Sequence, residues 1–214
     1  MMRIFIFALL QPITRRLRGF DLSRNGRDHY YRRMIRIILA LVLAVAAIGG
    51  AAASDKPAPW QMLRGLIAEA PVIAGADGFD PGGEGPVIVT FFASWCPPCT
   101  DEFRHLNNLV SSGKFKDTQI IAVNLYEDFG GVKNPERMTR FIKNTAPKFP
   151  LLEGSEDIRV AFGNIDRIPT VVVYSPAGDE VWRFVHERNA EKTHATEADL
   201  IEALKQAQAL QLSN

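Results

Sequence analysis

Val87-Ile88-Val89-Thr90-Phe91-Phe92-Ala93-Ser94-Trp95-Cys96-Pro97-Pro98-Cys99 holds the only two cysteines of a 214-residue chain, two residues apart. Its first six residues are β-branched or aromatic and follow Gly85-Pro86, the pattern of a buried strand. After Cys99, the apolar residues Phe103, Leu106, Leu109 and Val110 recur at helical spacing. A dithiol at a strand-to-helix junction sets its first sulfur at the positive end of a helix dipole, where a thiolate is stabilised. Thiol pKa values in such motifs fall to roughly 3.5–7.5. The first cysteine is thereby equipped to attack a disulfide, with a second thiol in reach to release the product.

Two other uses of a CxxC pair fit poorly. Zinc needs two further nitrogen or sulfur ligands, and His105, His186 and His194 are not spaced as a ligand pair. A structural disulfide gains with the length of the loop it closes, and this loop is very short. Redox chemistry is the reading that remains.

The formal net charge of +1 conceals an asymmetry. Residues 1–53 carry nine arginines against Asp21 and Asp28, so the remainder is acidic. From Met34 a short basic segment leads into the apolar residues 37–48 and then Gly49-Gly50-Ala51-Ala52-Ala53-Ser54, the order of an export signal with small residues before its cut. Cleavage between Ala53 and Ser54 is expected; the alternative is a membrane anchor through residues 37–53, although the stretch is short against the roughly 20 apolar residues of a spanning helix. Both place the dithiol domain periplasmic or extracytoplasmic, soluble in the first case. Residues 1–33 do not fit ahead of a complete signal, and translation from Met34 is expected, with Arg32-Arg33 leaving twin-arginine export as an alternative.

Residues 54–85 read as a tether and a divergent segment: Pro-rich at 54–59, amphipathic and helical at 60–70, a short strand at 71–74, and a Gly-rich loop at 75–85. Residues 86–214 read as one α/β domain. Its further elements are a buried strand at 118–126, a helix from Pro135 through Asn144 with proline in the first turn, a brief extended piece at 149–152, and a short helix from Glu156 to Phe162. A hairpin follows, with strands 170–174 and 180–185 around Ser175-Pro176-Ala177-Gly178-Asp179. Thr196 caps a last helix whose apolar side is expected to carry Ala198, Leu200, Ile201, Leu204 and Leu210.

Over residues 86–210 the chain resembles the thioredoxin-fold proteins, and in particular the exported TlpA/ResA/CcmG-type thiol–disulfide oxidoreductases. The residues that carry the resemblance are 89–99, Glu102-Phe103, the strand at 120–124, the insertion around Phe149-Pro150-Leu151-Leu152, and Ile168-Pro169-Thr170. It implies a central mixed β-sheet flanked by helices, with a helix-bearing insertion. It implies Cys96 as exposed nucleophile, Cys99 as resolving thiol, and Pro169 as a cis-proline facing the dithiol with the Ile168 backbone pairing to an extended substrate. Trp95, Pro97 and Pro98 shape the surface around the motif and complete the substrate-binding set. Glu102 matches a glutamate that tunes the dithiol in several of these proteins, and on a helix it shares a face with Cys99, so that it can shuttle the Cys99 proton. The alternative is a solvated first-turn glutamate favoured by the helix dipole. Asp101, His186 and His194 read as surface residues.

The chain departs from the family pattern in two places. Thr90 stands where thioredoxin has a buried aspartate, so a proton relay through that position is absent and Glu102 is the only nearby carboxylate that local spacing offers. The segment before residue 86 lacks the family's N-terminal hairpin motif. The function expected is reduction of disulfides in client proteins, such as those of cytochrome c or copper-site maturation, with re-reduction by a membrane thiol electron donor. No cofactor, metal or nucleic acid is called for. The alternatives are a disulfide-forming oxidant, since the Pro-Pro dipeptide does not set the sign of the potential, and a Cu(I)-handling module in which the two thiols are soft ligands.

Overall fold

Strand β2 (Val87–Phe92) is buried at every position, because it is paired on both sides. Strand β3 (Gln119–Asn124) runs parallel to it, with Val87 opposite Gln119 and Phe92 opposite Asn124. Strand β5 (Thr170–Tyr174) runs antiparallel on the other flank, with Phe91 opposite Thr170. A strand covered on both faces reads as a continuous apolar run, as this one does. With β1 (Val72–Ala74), β4 (Leu151–Glu153) and β6 (Glu180–Val185), these strands form a mixed six-stranded sheet in the order β1-β4-β3-β2-β5-β6.

Alternation along β2 divides the core in two. Ile88 and Phe92 point to the layer that contains the dithiol, with helices α2 (Pro97–Ser112), α3 (Pro135–Thr145) and α5 (Glu197–Leu212). Val87, Val89 and Phe91 point to the opposite layer, which is covered by α1 (Trp60–Glu69) and α4 (Glu156–Ala161). Helix α1 buries Trp60, Leu63 and Ile67, and its first N–H donates to the Gly178 carbonyl in the β5–β6 turn at 2.7 Å. The mixed sheet with flanking helices and a helix-bearing insertion before β4 is the α/β architecture expected from the sequence.

The computed structural model describes residues 59–75, 80, 83–129, 131 and 134–212. The export signal, the residues upstream of it and most of the 54–59 tether lie outside the described residues. No helix among the described residues is long and apolar enough to cross a membrane.

Some element details differ from the expectation. Strand β3 ends at Asn124, two residues early, because Tyr126 takes a left-handed backbone (φ 62°) that leaves the ladder. On α5 the buried side consists of Leu200, Ala203, Leu204 and Ala207. Ala198 and Leu210 face outward instead, since Thr196 starts the helix at a phase that turns both away from the sheet.

Candidate active site

Cys96 is the N-cap of α2, and Pro97 and Pro98 fill the first two helical positions. Prolines have no N–H, so the first free donor of the helix is the N–H of Cys99. It points to Cys96 Sγ at 3.3 Å. The two sulfurs are joined as a disulfide, with the Cα atoms 5.3 Å apart. Cys99 has no exposed surface and Cys96 retains 4 %. The expectation of an exposed Cys96 is therefore corrected: it is the more accessible of the two cysteines, but in the disulfide form it is buried.

Glu102 lies one helical turn beyond Cys99 and is completely buried. It is not the solvated first-turn glutamate of the alternative reading. Its Oε1 accepts the Thr90 hydroxyl at 2.5 Å, and its Oε2 accepts the backbone N–H of Ala195 at 3.2 Å. Burial pushes its pKa up to about 7, against the partial opposition of these two donors. The carboxyl is thus poised to exchange a proton near neutrality. Thr90, on the dithiol face of β2, is a partner of this carboxyl.

The Ile168–Pro169 peptide is cis. Since Phe91 faces Thr170, Pro169 sits level with Phe92, at the end of the sheet where residues 93–96 emerge. Ile168 packs against the core cluster that contains both cysteines, as does Trp95. Pro97 is exposed and Pro98 half-buried. The structure brings these residues to one end of the sheet.

His186 and His194, read from the sequence as surface residues, are half-buried. His186 Nδ1 stands 3.3 Å from the Ile168 carbonyl. His194 stacks on His105 with ring centroids 5.3 Å apart, directly before the Ala195 that holds Glu102. Burial, then the neighbouring His194, lowers the His105 pKa.

The sequence reading missed the loop after β3. Glu127 accepts the Ser94 backbone N–H at 2.9 Å and the Asn124 amide at 3.0 Å, and its other oxygen accepts the Ser94 hydroxyl. Glu127 is thus a second carboxylate, bonded two residues ahead of Cys96 and brought there from 33 residues away, where local spacing could not offer it. The Trp95 indole N–H donates to the Tyr126 carbonyl at 2.7 Å, and the Tyr126 hydroxyl donates to the Ile165 carbonyl. Phe129, 72 % exposed, stacks on Trp95 with centroids 5.4 Å apart. The signal available was position: residues just beyond the carboxyl end of a parallel strand line the site in open α/β sheets.

Residues 82–203 match the Redoxin family model. Among curated relatives, the chain is 27% identical over 169 residues to the thiol-disulfide oxidoreductase ResA of Bacillus thuringiensis strain Al Hakam, covering 75% of this chain and 92% of that protein. It is 25% identical over 148 residues to the sporulation thiol-disulfide oxidoreductase A of Bacillus subtilis, covering 69% and 86%. The match to the ResA of Bacillus subtilis, 28% identical over 102 residues, covers 48% of this chain and spans about half of that protein, 53%. A solved thiol:disulfide interchange protein of the thioredoxin family from Chlorobium tepidum has the same fold, with a TM-score of 0.50, 23% identity, and coverage of 72% of this chain and 99% of that one. The dithiol at the mouth of α2, the sheet that carries it and these likenesses lead to one conclusion: the chain belongs to the Redoxin family and is a thioredoxin-fold thiol–disulfide oxidoreductase.

Proposed function

We propose that the chain works as a reductant outside the cytoplasmic membrane, passing two electrons from the Cys96/Cys99 dithiol to disulfides of client proteins. The Cys96 thiolate attacks a client disulfide; one client sulfur leaves as a thiolate and the other stays bonded to Cys96. Cys99 then gives its proton to Glu102 and attacks Cys96 Sγ, which releases the second client thiol and closes the Cys96–Cys99 disulfide. A membrane thiol electron donor restores the dithiol. Trp95, Pro97, Pro98, Ile168 and Pro169 contact the client segment. Clients of the kind handled in cytochrome c or copper-site maturation follow from the family resemblance, and the site outside the membrane follows from the export signal in the sequence.

The observation that carries this reading is the full burial of Glu102 one turn beyond Cys99. Cys99 has no contact with solvent, so its proton needs a local acceptor, and a carboxyl titrating near 7 is a suitable one. Once ionised, the same carboxylate opposes a second negative charge on Cys99. Strong oxidants of this fold are those whose reduced form is stabilised, and this arrangement works against that.

The test is the equilibrium reduction potential of the Cys96–Cys99 pair in the full chain. A value near roughly −270 mV, that of thioredoxin, supports a reductant; one near roughly −120 mV, that of the oxidant DsbA, overturns it.

A further inference from the structure

The loop that holds Trp95 has a second side. Residues 124–128 form one wall of a cavity of about 620 Å³, bounded opposite by Glu153, Gly154, Ser155, Glu156 and Arg159. Ile73, Leu125 and Met138 supply apolar lining, and Glu127, Asp128, Glu153 and Glu156 bring four carboxylates. Arg159 is the one cation of the lining among the described residues, and Glu156 takes its charge through two hydrogen bonds of 2.7 and 2.6 Å. Glu127 accepts only neutral donors, from Ser94 and Asn124. Among the described residues, no cation pairs with Glu127, Asp128 or Glu153. An apolar lining under an excess of carboxylates suits a long side chain with an aliphatic stem and a cationic head.

The cavity is continuous with the dithiol through covalent and non-covalent contacts. Cys96 follows Trp95; Trp95 is bonded to Tyr126 and stacked on Phe129; Tyr126 and Glu127 line the cavity. Phe129 is thus an exposed aromatic on the same loop as the acidic wall, stacked on the residue that precedes Cys96. The loop that carries it is anchored at Ser94, Trp95 and Ile165, so the stacked Trp95–Phe129 pair offers a held apolar surface that a partner side chain can cover.

We propose that the client segment carries, beside its cysteine, an apolar side chain seated on Phe129 and Trp95 and a lysine or arginine seated in the cavity beyond. The proposal rests on the reading of Cys96 as the sulfur that meets the client, and it adds the chemical class of that client: a cysteine segment flanked by an apolar and a cationic side chain.

The probes are short synthetic peptides containing one cysteine in mixed disulfide with thionitrobenzoate, a neighbouring phenylalanine or serine, and lysine or glutamate beyond. The pre-reduced full chain is mixed with each peptide, and the release of thionitrobenzoate is followed in a single turnover. The lysine peptides are expected to react roughly five- to tenfold faster than the glutamate peptides at low salt, with the ratio shrinking as salt rises. Asp128→Asn with Glu153→Gln removes most of that ratio, whereas the charge-matched pair Glu69→Gln with Glu202→Gln, on α1 and α5, retains it. Phe129→Ser narrows the preference for phenylalanine over serine. Equal rates for lysine and glutamate peptides, or a ratio that survives loss of Asp128 and Glu153, overturn the proposal. If the reduced chain attacks no peptide, the reductive reading fails separately; the same ranking is then measured with the oxidised chain and the thiol peptides, where absence of a lysine preference overturns the proposal.

Discussion

Glu102 shows how one side chain can join stability to chemistry. Its carboxyl is pushed up to about 7 from 4.5, chiefly by burial. Between those values the folded chain holds a proton that the unfolded chain has released. The resulting stabilisation is fully present below about pH 4.5 and is lost as pH rises through 7. Urea denaturation of the oxidised full chain should therefore show a fall of about 2 to 3 kcal/mol between pH 5 and 8 that Glu102→Gln abolishes. Glutamine is tolerated, because its oxygen can accept from Ala195 and its amide can donate to the Thr90 hydroxyl. Equal pH slopes in the two proteins would deny the raised pKa. Removing the hydroxyl with Thr90→Val takes away a group that favours the carboxylate, so the pH profile of disulfide exchange should move to higher pH, and stopped-flow measurement with any disulfide substrate checks it. An unmoved profile would leave Glu102 outside the proton path. The sequence suggested Glu102 through its i+3 spacing from Cys99, but Thr90 and Ala195 are brought to it by tertiary folding, 12 and 93 residues away.

At the scale of elements, local chemistry was legible wherever it was sufficient. Proline at the first turn of α3 and threonine before α5 each marked a true helix start. Thr196 is half of a reciprocal cap: its Oγ1 accepts the Asp199 N–H at 3.4 Å, while Asp199 accepts the Thr196 N–H at 2.8 Å. Thr196→Ala should cost about 1 kcal/mol in urea denaturation, and because Ala195 precedes it, the substitution should also loosen the N–H that holds Glu102. A stability unchanged within error would mean that tertiary packing alone fixes this end of α5. The loop after β3 was not legible by such means. Its structure depends on Ser94, 33 residues earlier, and on a left-handed Tyr126 that no local rule requires. Strand β1 divides the two cases: the short strand expected at 71–74 is present at Val72–Ala74, but its irregular antiparallel register against β4 depends on residues about 80 positions away.

For the molecule as a whole, the important finding is that the residues ahead of the recognisable motif complete the core. Trp60, Leu63 and Ile67 close the layer on the far side of β2 from the dithiol. Leu63 is 2 % exposed, and Leu63→Ala should cost about 2 to 5 kcal/mol, seen as a lower urea midpoint with unchanged slope. A loss below 1 kcal/mol would show that α1 is an accessory. The amphipathic spacing of these residues was plain in the sequence, but their partners were not, since the strand faces they cover lie on both sides of the cysteine motif.

The contact between α1 and the β5–β6 turn also sets an order of events. Gln61 reaches the Ala177 carbonyl across 116 residues of chain, so a helix near the start of the described residues waits for a turn near their end. Closing so long a loop is slow, and contacts of that range are characteristic of late folding steps. Until it closes, the start of α1 is unpinned and Trp60 lacks the Tyr174 ring it rests against, with centroids 5.8 Å apart. A core built this way cannot finish until its last hairpin has arrived.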